Sequence, residues 1–164
     1  MSKQFSFQVT AKDKSSMART GVIKTAHGKI ETPYLIPVAT RGHVISLNEK
    51  DIKSLGIQVL LANTYHLHFK PGDKAIKREG GLHNFMHFSK PIFTDSGGFQ
   101  AFSLGLGKQT SARKIGFIPG EILIKNNKSP SYSKITDKGI YFTSTYDDKT
   151  KVFMGPKESM AIQS

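Results

Sequence analysis

The segment that decides the fold is residues 33–66, PYLIPVATRGHVISLNEKDIKSLGIQVLLANTYH. It opens with an apolar run, Tyr34–Ala39, in which hydrophobic residues do not alternate with polar ones. Such a run is typical of a strand buried on both faces, as in a parallel sheet. A second apolar run, Ile57–Leu61, follows further along the segment and predicts a second strand of the same kind.

A helix is predicted between these two strands. Ser46 and Glu49 have the spacing of a capping box, with Ser at the N-cap and Glu three residues later. The helix should run to Gly56, which ends it as a C-cap glycine. Strand, helix and strand together make one βαβ unit.

The same rhythm continues toward the C-terminus. Pro71 and Gly72 start a second helical stretch that Gly80 ends, and a third strand over residues 91–94 delivers Asp95. The alternation predicts an α/β fold with right-handed crossovers, and hence a parallel sheet or a barrel segment. In such folds chemistry collects at the C-terminal ends of the strands, where Asn63 and Asp95 fall.

The flanking regions read differently. Residues 1–32 alternate like antiparallel strands, with a hairpin turn at His27-Gly28. Residues 105–133 break the rhythm and hold five Lys and Arg against one Glu from residue 107 onward, which predicts a basic insertion. Residues 134–164 predict a β-hairpin with its turn at Asp147–Lys149, and then a helix opened by Pro156.

Charge and composition narrow the function classes. The 164 residues carry 24 Lys and Arg against 12 Asp and Glu, a net charge of +12, which favours a polyanionic partner although solvated Lys-rich surfaces are also common. The absence of Cys excludes disulfides and Cys-ligated metals within these residues. The N-terminus lacks the apolar stretch of a signal peptide, and no apolar run approaches the length of a membrane span, so we expect a cytoplasmic protein without membrane contact.

The strongest site candidate is the hexapeptide Asp95-Ser96-Gly97-Gly98-Phe99-Gln100. A carboxylate at a strand end can accept hydrogen bonds from the N1–H and N2–H donors of a guanine edge. The two glycines let a ligand approach the backbone, and Phe99 can stack on a base. The alternative is a simple turn in which Asp95 caps a helix.

Asn63 follows the neighbouring strand and either faces the same pocket as Asp95 or satisfies loop backbone groups. Two histidine pairs, His66/His68 and His83/His87, have spacings that can bind metal. Neither pair has an acidic or Cys companion at matching spacing, so we expect no metal site in this chain.

Taken together, these stretches resemble the tRNA-guanine transglycosylase (queuine tRNA-ribosyltransferase) family. The resemblance is an ordered set over residues 19–104 and it resumes at residue 134. The matching stretches are Arg19–Gly21, His27–Pro33, Ile36–Thr40, Ala62–Leu67, Lys70–Gly72, Gly80–His83, Phe85–Met86, Pro91–Gln100, Lys134–Thr136 and Pro156–Gln163.

The resemblance implies the N-terminal portion of a TIM-type (β/α)8 barrel with an antiparallel β lead-in over residues 1–32 and a β-hairpin insertion. Residues 33–104 would supply the first three β/α units, and the chain would end before the barrel closes. The implied activity replaces guanine at the anticodon wobble position of tRNA by a 7-deazaguanine such as queuine or preQ1. Asp95 would bind the base and move a proton, with Asn63, Ser96, Gly97, Gly98 and Phe99 as substrate-binding residues.

The sequence also departs from the family. The nucleophilic Asp and the three-Cys-one-His zinc site of the family have no counterpart in these residues, so no cofactor is expected in this chain and zinc only in a C-terminal half. Phe99 stands where many bacterial members have Tyr. We therefore expect a truncated or split N-terminal part, inactive alone, whose partners are tRNA, the base, a complementary C-terminal chain and, as is common in the family, a second copy. The alternative is a non-catalytic RNA-binding or accessory subunit of the same family.

Overall fold

The computed structural model describes residues 5–101, 133–144, 146 and 150–164. The chain divides into two compact units, Met1–Asp95 and Ser96–Ser164. Both helices and strands occur in the described residues, so the predicted mixed α/β class is confirmed, whereas the barrel and the hairpin insertion stay predictions. The basic insertion over residues 105–133 falls almost wholly outside the described residues.

The first unit opens with an antiparallel sheet in the order β1-β2-β3. Its strands are β1 (Ser6–Lys12), β2 (Arg19–Thr25) and β3 (Gly28–Thr32). The tight turn between β2 and β3 is at the predicted place, because Thr25 pairs with Gly28 across it. Gly28 has a φ of +126°, which a residue with a side chain rarely adopts.

A parallel sheet follows in the order β4-β5-β6. Its strands are β4 (Val38–Ala39), β5 (Leu60–Ala62) and β6 (Ile92–Thr94). The connecting helical elements are α1 (Glu49–Ser54), α2 (Thr64–Leu67), a π-helical turn (His68–Gly72), α3 (Asp73–Arg78) and α4 (Leu82–Phe85). Ala39 pairs with Ala62 and Ala62 with Thr94, so the three strands end at one edge of the sheet.

The core of this unit lies between the parallel sheet and its helices. Its buried side chains are Ala39, Ile57, Leu60, Ala62, Leu67, Met86 and Phe88. Leu47, Ile52 and Ile76 pack against this cluster from the helical side. Burial of this apolar surface holds the strand ends in fixed positions relative to one another.

Two expectations about local structure are wrong. Helix α1 is capped by Asn48 rather than Ser46: the Asn48 side chain accepts hydrogen bonds from the backbone of Lys50 and Asp51, and the Asp51 carboxylate accepts one from the Asn48 N–H. The capping box is therefore present two residues later than predicted, since Asn and Asp can replace Ser and Glu in these positions.

The first apolar run is also not a strand buried on both faces. Only Val38 and Ala39 pair with β5, and Val38 is 52% exposed and Leu35 88% exposed. Within the described residues, β4 has a hydrogen-bonded neighbour on one side only, so one edge and part of its surface stay in solvent.

The second unit contains a helical turn over residues 98–101 and an antiparallel sheet in the order β7-β8-β9. The strands are β7 (Ser133–Thr136), β8 (Gly139–Thr143) and β9 (Lys151–Met154), followed by helix α5 (Pro156–Gln163). Strands β8 and β9 pair antiparallel, and β7 pairs antiparallel with β8 on the other side. The predicted turn at residues 147–149 lies outside the described residues.

Among the helices of the described residues, none has the length and hydropathy needed to cross a membrane.

Candidate functional site

The candidate site lies where the parallel strands end. Asp95 follows β6 directly, and Asn63 and Thr64 follow β5. The Asp95 N–H donates to the Ala62 carbonyl at 3.4 Å, which extends the pairing of β5 and β6 to the site itself. The position of Asp95 is thus set by the backbone of the sheet.

The Asp95 carboxylate is held by two donors from the start of α2. The Asn63 amide donates from Nδ2 to Oδ2 at 2.6 Å, and the Thr64 N–H donates to Oδ1 at 3.0 Å. The Thr64 hydroxyl also bonds to the Asp95 carbonyl oxygen. These three contacts fix both the side chain and the backbone of Asp95, which is only partly exposed.

Asn63 joins the two strand ends through its amide. Its Oδ1 accepts the His66 N–H at 3.1 Å, capping α2, while its Nδ2 bonds to Asp95. The side chain is 6% exposed. Asp95 and Asn63, both predicted from their strand positions, are therefore in direct contact, whereas a contact between Asn63 and a substrate stays a prediction.

Two further side chains, His66 and Arg41, interact electrostatically at this edge of the sheet. Burial lowers the pKa of His66, the positive charge of Arg41 lowers it further, and the negative charge of Asp95 opposes both. His66 is consequently neutral at pH 7, beside a carboxylate and a guanidinium. Arg41 comes two residues after β4, so all three parallel strands contribute a polar residue to this edge.

Thr64, His66 and Arg41 are not among the site residues predicted from the sequence. The signal that was available is their position, since each follows the end of a parallel strand within four residues. Residue type alone does not distinguish them from ordinary loop residues.

The rest of the hexapeptide belongs to the second unit and has its own local order. Gly97 is buried with a φ of +69°, and its carbonyl accepts the Ala101 N–H, so the chain enters the helical turn at residues 98–101 there. The Ser96 hydroxyl accepts the Gly98 N–H at 3.3 Å, and the Ser96 carbonyl accepts the Ser159 hydroxyl. Phe99 is 63% exposed. Gly97 turns the chain here, and among the described contacts the Asp95 carboxylate bonds to Asn63 and Thr64 at the start of α2.

The histidines of the two pairs have other partners among the described residues. Within the part of the chain that the structure describes, no three His, Cys, Asp or Glu side chains come close enough to hold a metal ion. His68 instead bonds to Asp73 at 2.8 Å, and the His83 ring stacks on His27 at 3.6 Å between centroids. The zinc that the family resemblance implies needs Cys ligands that these 164 residues lack.

The arrangement suits recognition of a ligand with adjacent N–H donors. A carboxylate has about four lone-pair directions and offers acceptors only, and two of those directions are occupied by Asn63 and Thr64. A charged acceptor forms stronger hydrogen bonds than a neutral one.

Comparison with known proteins identifies the family of the chain. The family model described as queuine tRNA-ribosyltransferase matches residues 13–164. A queuine tRNA-ribosyltransferase of Roseiflexus sp. is 43% identical over 160 residues, which are 96% of this chain and 38% of the relative. That of Fusobacterium nucleatum is 41% identical over 152 residues, 93% of this chain and 34% of the relative. A relative from Archaeoglobus fulgidus is 44% identical over 156 residues, 89% of this chain and 38% of the relative.

The chain belongs to the queuine tRNA-ribosyltransferase family, a family of transferases that modify tRNA. It spans little more than a third of the length of the curated relatives it matches. The resemblance found in the sequence is confirmed.

Proposed function

We propose that this chain supplies the guanine-binding part of an enzyme that exchanges a base in tRNA, replacing guanine at the anticodon wobble position by a 7-deazaguanine such as queuine or preQ1. The observation that carries the proposal is the Asp95 carboxylate, held at the end of β6 by Asn63 and Thr64. The family membership of the chain supplies the reaction.

The fixed carboxylate favours guanine over other bases. Guanine and 7-deazaguanines present N1–H and N2–H side by side, and in this proposal the carboxylate oxygens of Asp95 accept hydrogen bonds from both donors. Since Asn63 and Thr64 hold the carboxylate before the base arrives, little orientational freedom is lost on binding. Adenine offers no such pair of donors on this edge and binds poorly.

The residues after Asp95 complete the base site in this proposal. Phe99 is exposed and stacks on the face of the base, and Ser96, Gly97 and Gly98 bring backbone close to the ligand. Asn63 acts both at the substrate and through Asp95, because its amide bonds to that carboxylate.

The chemistry is divided between Asp95 and a residue outside this sequence. In the family reaction a second Asp attacks the ribose anomeric carbon and displaces guanine as a leaving group. Asp95 holds the departing and incoming bases and moves a proton to or from them, which a carboxylate within hydrogen-bonding reach can do. The base must leave the anticodon stack to reach it, as in other enzymes that act on a nucleobase.

Calorimetric titration with guanine tests the proposal. We expect Asp95→Asn to weaken binding about 10- to 100-fold, because it replaces a charged acceptor that receives two hydrogen bonds. Asp73→Asn, which changes an exposed carboxylate bonded to His68, is the matched control and should bind as the unmodified chain does. Equal guanine affinity in the Asp95→Asn variant would remove Asp95 from base recognition. Binding of tRNA without any binding of guanine would instead support an accessory RNA-binding subunit.

A further inference from the structure

The sheet of the second unit has two unlike faces. On one face Phe142 and Met154 are 3% and 5% exposed and form the buried side. The pairing of Lys134 with Tyr141, and of Tyr141 with Phe153, places these three residues in one row on the other face. Thr143 and Lys151 form the next row on that same face.

The second face carries an aromatic pair that is open to solvent. Tyr141 is 50% exposed, although large aromatic side chains on a sheet are usually covered. Its ring lies 4.6 Å from that of Phe153 between centroids, with an angle of 42° between the ring planes. Phe153 thus supports one side of Tyr141 and leaves the remaining surface of the ring accessible.

Lysines lie on both sides of this pair. Lys134 is directly across from Tyr141, Lys151 is two residues from Phe153 on β9, and both lysines are exposed. The described strand positions on this face hold no acidic residue: they are Lys134, Thr136, Gly139, Tyr141, Thr143, Lys151 and Phe153. We call Lys134, Tyr141, Lys151 and Phe153 the aromatic–lysine face.

We propose that the aromatic–lysine face binds single-stranded RNA, with a base stacked on Tyr141 and phosphates at Lys134 and Lys151. Exposed aromatic rings between cations are the surface on which single-stranded nucleic acids bind, since bases stack on the rings and the backbone follows the charge. The choice of RNA rests on the proposed function. The face consists of residues of the second unit, whereas Asp95 belongs to the first.

A purely structural role for the aromatic pair predicts a different result. Cross-strand aromatic pairs stabilise antiparallel sheets without any ligand. Two substitutions separate the roles: Tyr141→Phe keeps the ring, and Tyr141→Leu keeps an apolar contact with Phe153 but removes the stacking surface. Urea unfolding of each variant shows that the sheet is intact before RNA binding is compared.

The first measurement is the affinity for a single-stranded oligoribonucleotide of about eight nucleotides that contains 2-aminopurine, whose emission is quenched by stacking. We expect Tyr141→Phe to bind and quench as the unmodified chain does. Tyr141→Leu should bind on the order of tenfold more weakly, with the quenching lost. Equal affinity and equal quenching in a folded Tyr141→Leu variant would overturn the proposal.

The second measurement is the salt dependence of that affinity. Each lysine on a phosphate of single-stranded nucleic acid contributes about 0.7 to the slope of log K against log salt, so Lys134→Gln with Lys151→Gln should lower the slope by about 1.4. Lys74→Gln with Lys77→Gln, two exposed lysines of α3, is the control pair and should leave the slope unchanged. A slope lowered equally by both pairs, or by neither, would contradict the assignment.

Guanine titration of the same variants keeps this inference distinct from the proposed function. Tyr141→Leu should bind guanine normally, and Asp95→Asn should bind an oligonucleotide that contains no guanine normally. Loss of guanine binding in Asp95→Asn alone supports the proposed guanine site. Loss of RNA binding in Tyr141→Leu alone supports RNA binding by the aromatic–lysine face. A Tyr141→Leu variant that loses both would overturn it, because the two sites are then not independent.

Discussion

Thr64 bonds to both the side chain and the backbone of Asp95. The Thr64 N–H bonds to its carboxylate, and the Thr64 hydroxyl bonds to its carbonyl oxygen. Thr64 is 3% exposed, so water cannot easily replace the hydroxyl. This hydroxyl therefore stabilises the fold and fixes the backbone that carries the carboxylate.

We predict that Thr64→Val lowers the free energy of unfolding by about 1–2 kcal/mol, because the near-isosteric change removes the hydroxyl that donates to the Asp95 carbonyl. Guanine affinity should fall in the same variant through the displaced carboxylate. Urea unfolding and calorimetry measure the two effects. Thr20→Val, which removes an exposed hydroxyl bonded only to Thr10 in the described contacts, should cost less than about 0.5 kcal/mol. A Thr64→Val variant as stable as the unmodified chain would show that the hydroxyl has no such role.

The sequence predicts Asp95 and Asn63 because each follows a strand, and strand ends meet at one edge of a parallel sheet. It does not predict that the two side chains bond to each other, nor that Thr64 and His66 complete the arrangement. Those contacts depend on the stagger of β5 against β6, where Ala62 pairs with Thr94. A change of register by one residue would turn these side chains to the other face, and residue types alone do not determine register.

For helix α1, local sequence rules predict the end of the helix correctly but not its start. Its end is predicted correctly: Gly56 has a φ of +65°, its N–H bonds to the Lys53 carbonyl, and the Ile57 N–H bonds to that of Ile52. Its start is wrong by two residues, because Ser46-Leu47-Asn48 offers two capping side chains and the sequence pattern does not rank them. In the structure, in which α1 starts two residues later than predicted, Leu47 and Ile52 pack against the core. This is a tertiary contact that local sequence rules do not include.

The contact between His27 and His83 joins the antiparallel sheet to α4. The rings stack at 3.6 Å with an angle of 13°, and the Nε2 of His83 is buried without a hydrogen-bond partner in the described residues. Burial lowers the pKa of His83, the neighbouring His27 lowers it further, and a backbone hydrogen bond with Lys90 opposes both. Burial and this contact therefore both favour the neutral form of His83.

A lowered histidine pKa makes stability depend on pH with a definite sign. The unfolded chain takes up the proton near the ordinary pKa of 6.5, before the folded chain does, so stability is full above that pH and is lost as pH falls through the lower folded value. We predict that His83→Gln reduces this loss between about pH 7 and about pH 5, measured by urea unfolding.

His43→Gln, a change at an exposed histidine of the same unit, is the matched control and should keep the pH dependence of the unmodified chain. If His83→Gln and the unmodified chain lose stability equally on acidification, His83 is not the group responsible.

At the scale of the whole molecule, these 164 residues correspond to little more than a third of the relatives they match. The order strand, helix, strand, helix, strand could be predicted over residues 33–94 because hydrophobic runs and glycines are local signals. Strand β7 of the second unit is not predicted as a separate strand. Its segment Lys134–Thr136 is short, and a turn at residues 137–138 connects it to β8.

We predict that a polypeptide of residues 1–164 does not by itself exchange guanine in tRNA. The family reaction needs a nucleophilic Asp that the resemblance does not assign to any of these residues. Incorporation of radiolabelled guanine into tRNA measures the activity, with a full-length relative as the positive control. Incorporation by the polypeptide at a comparable rate would show that the nucleophile is among residues 1–164.

The central claim is that the Asp95 carboxylate accepts the N1–H and N2–H donors of guanine, and comparing guanine with hypoxanthine, which lacks the 2-amino group, tests it most directly. Calorimetric titration of both bases gives a preference for the unmodified chain and for Asp95→Asn, and the difference isolates the contact between Asp95 and the amino group. We predict that the unmodified chain prefers guanine by on the order of tenfold and that Asp95→Asn loses most of this preference. The same preference in both proteins would contradict the claim.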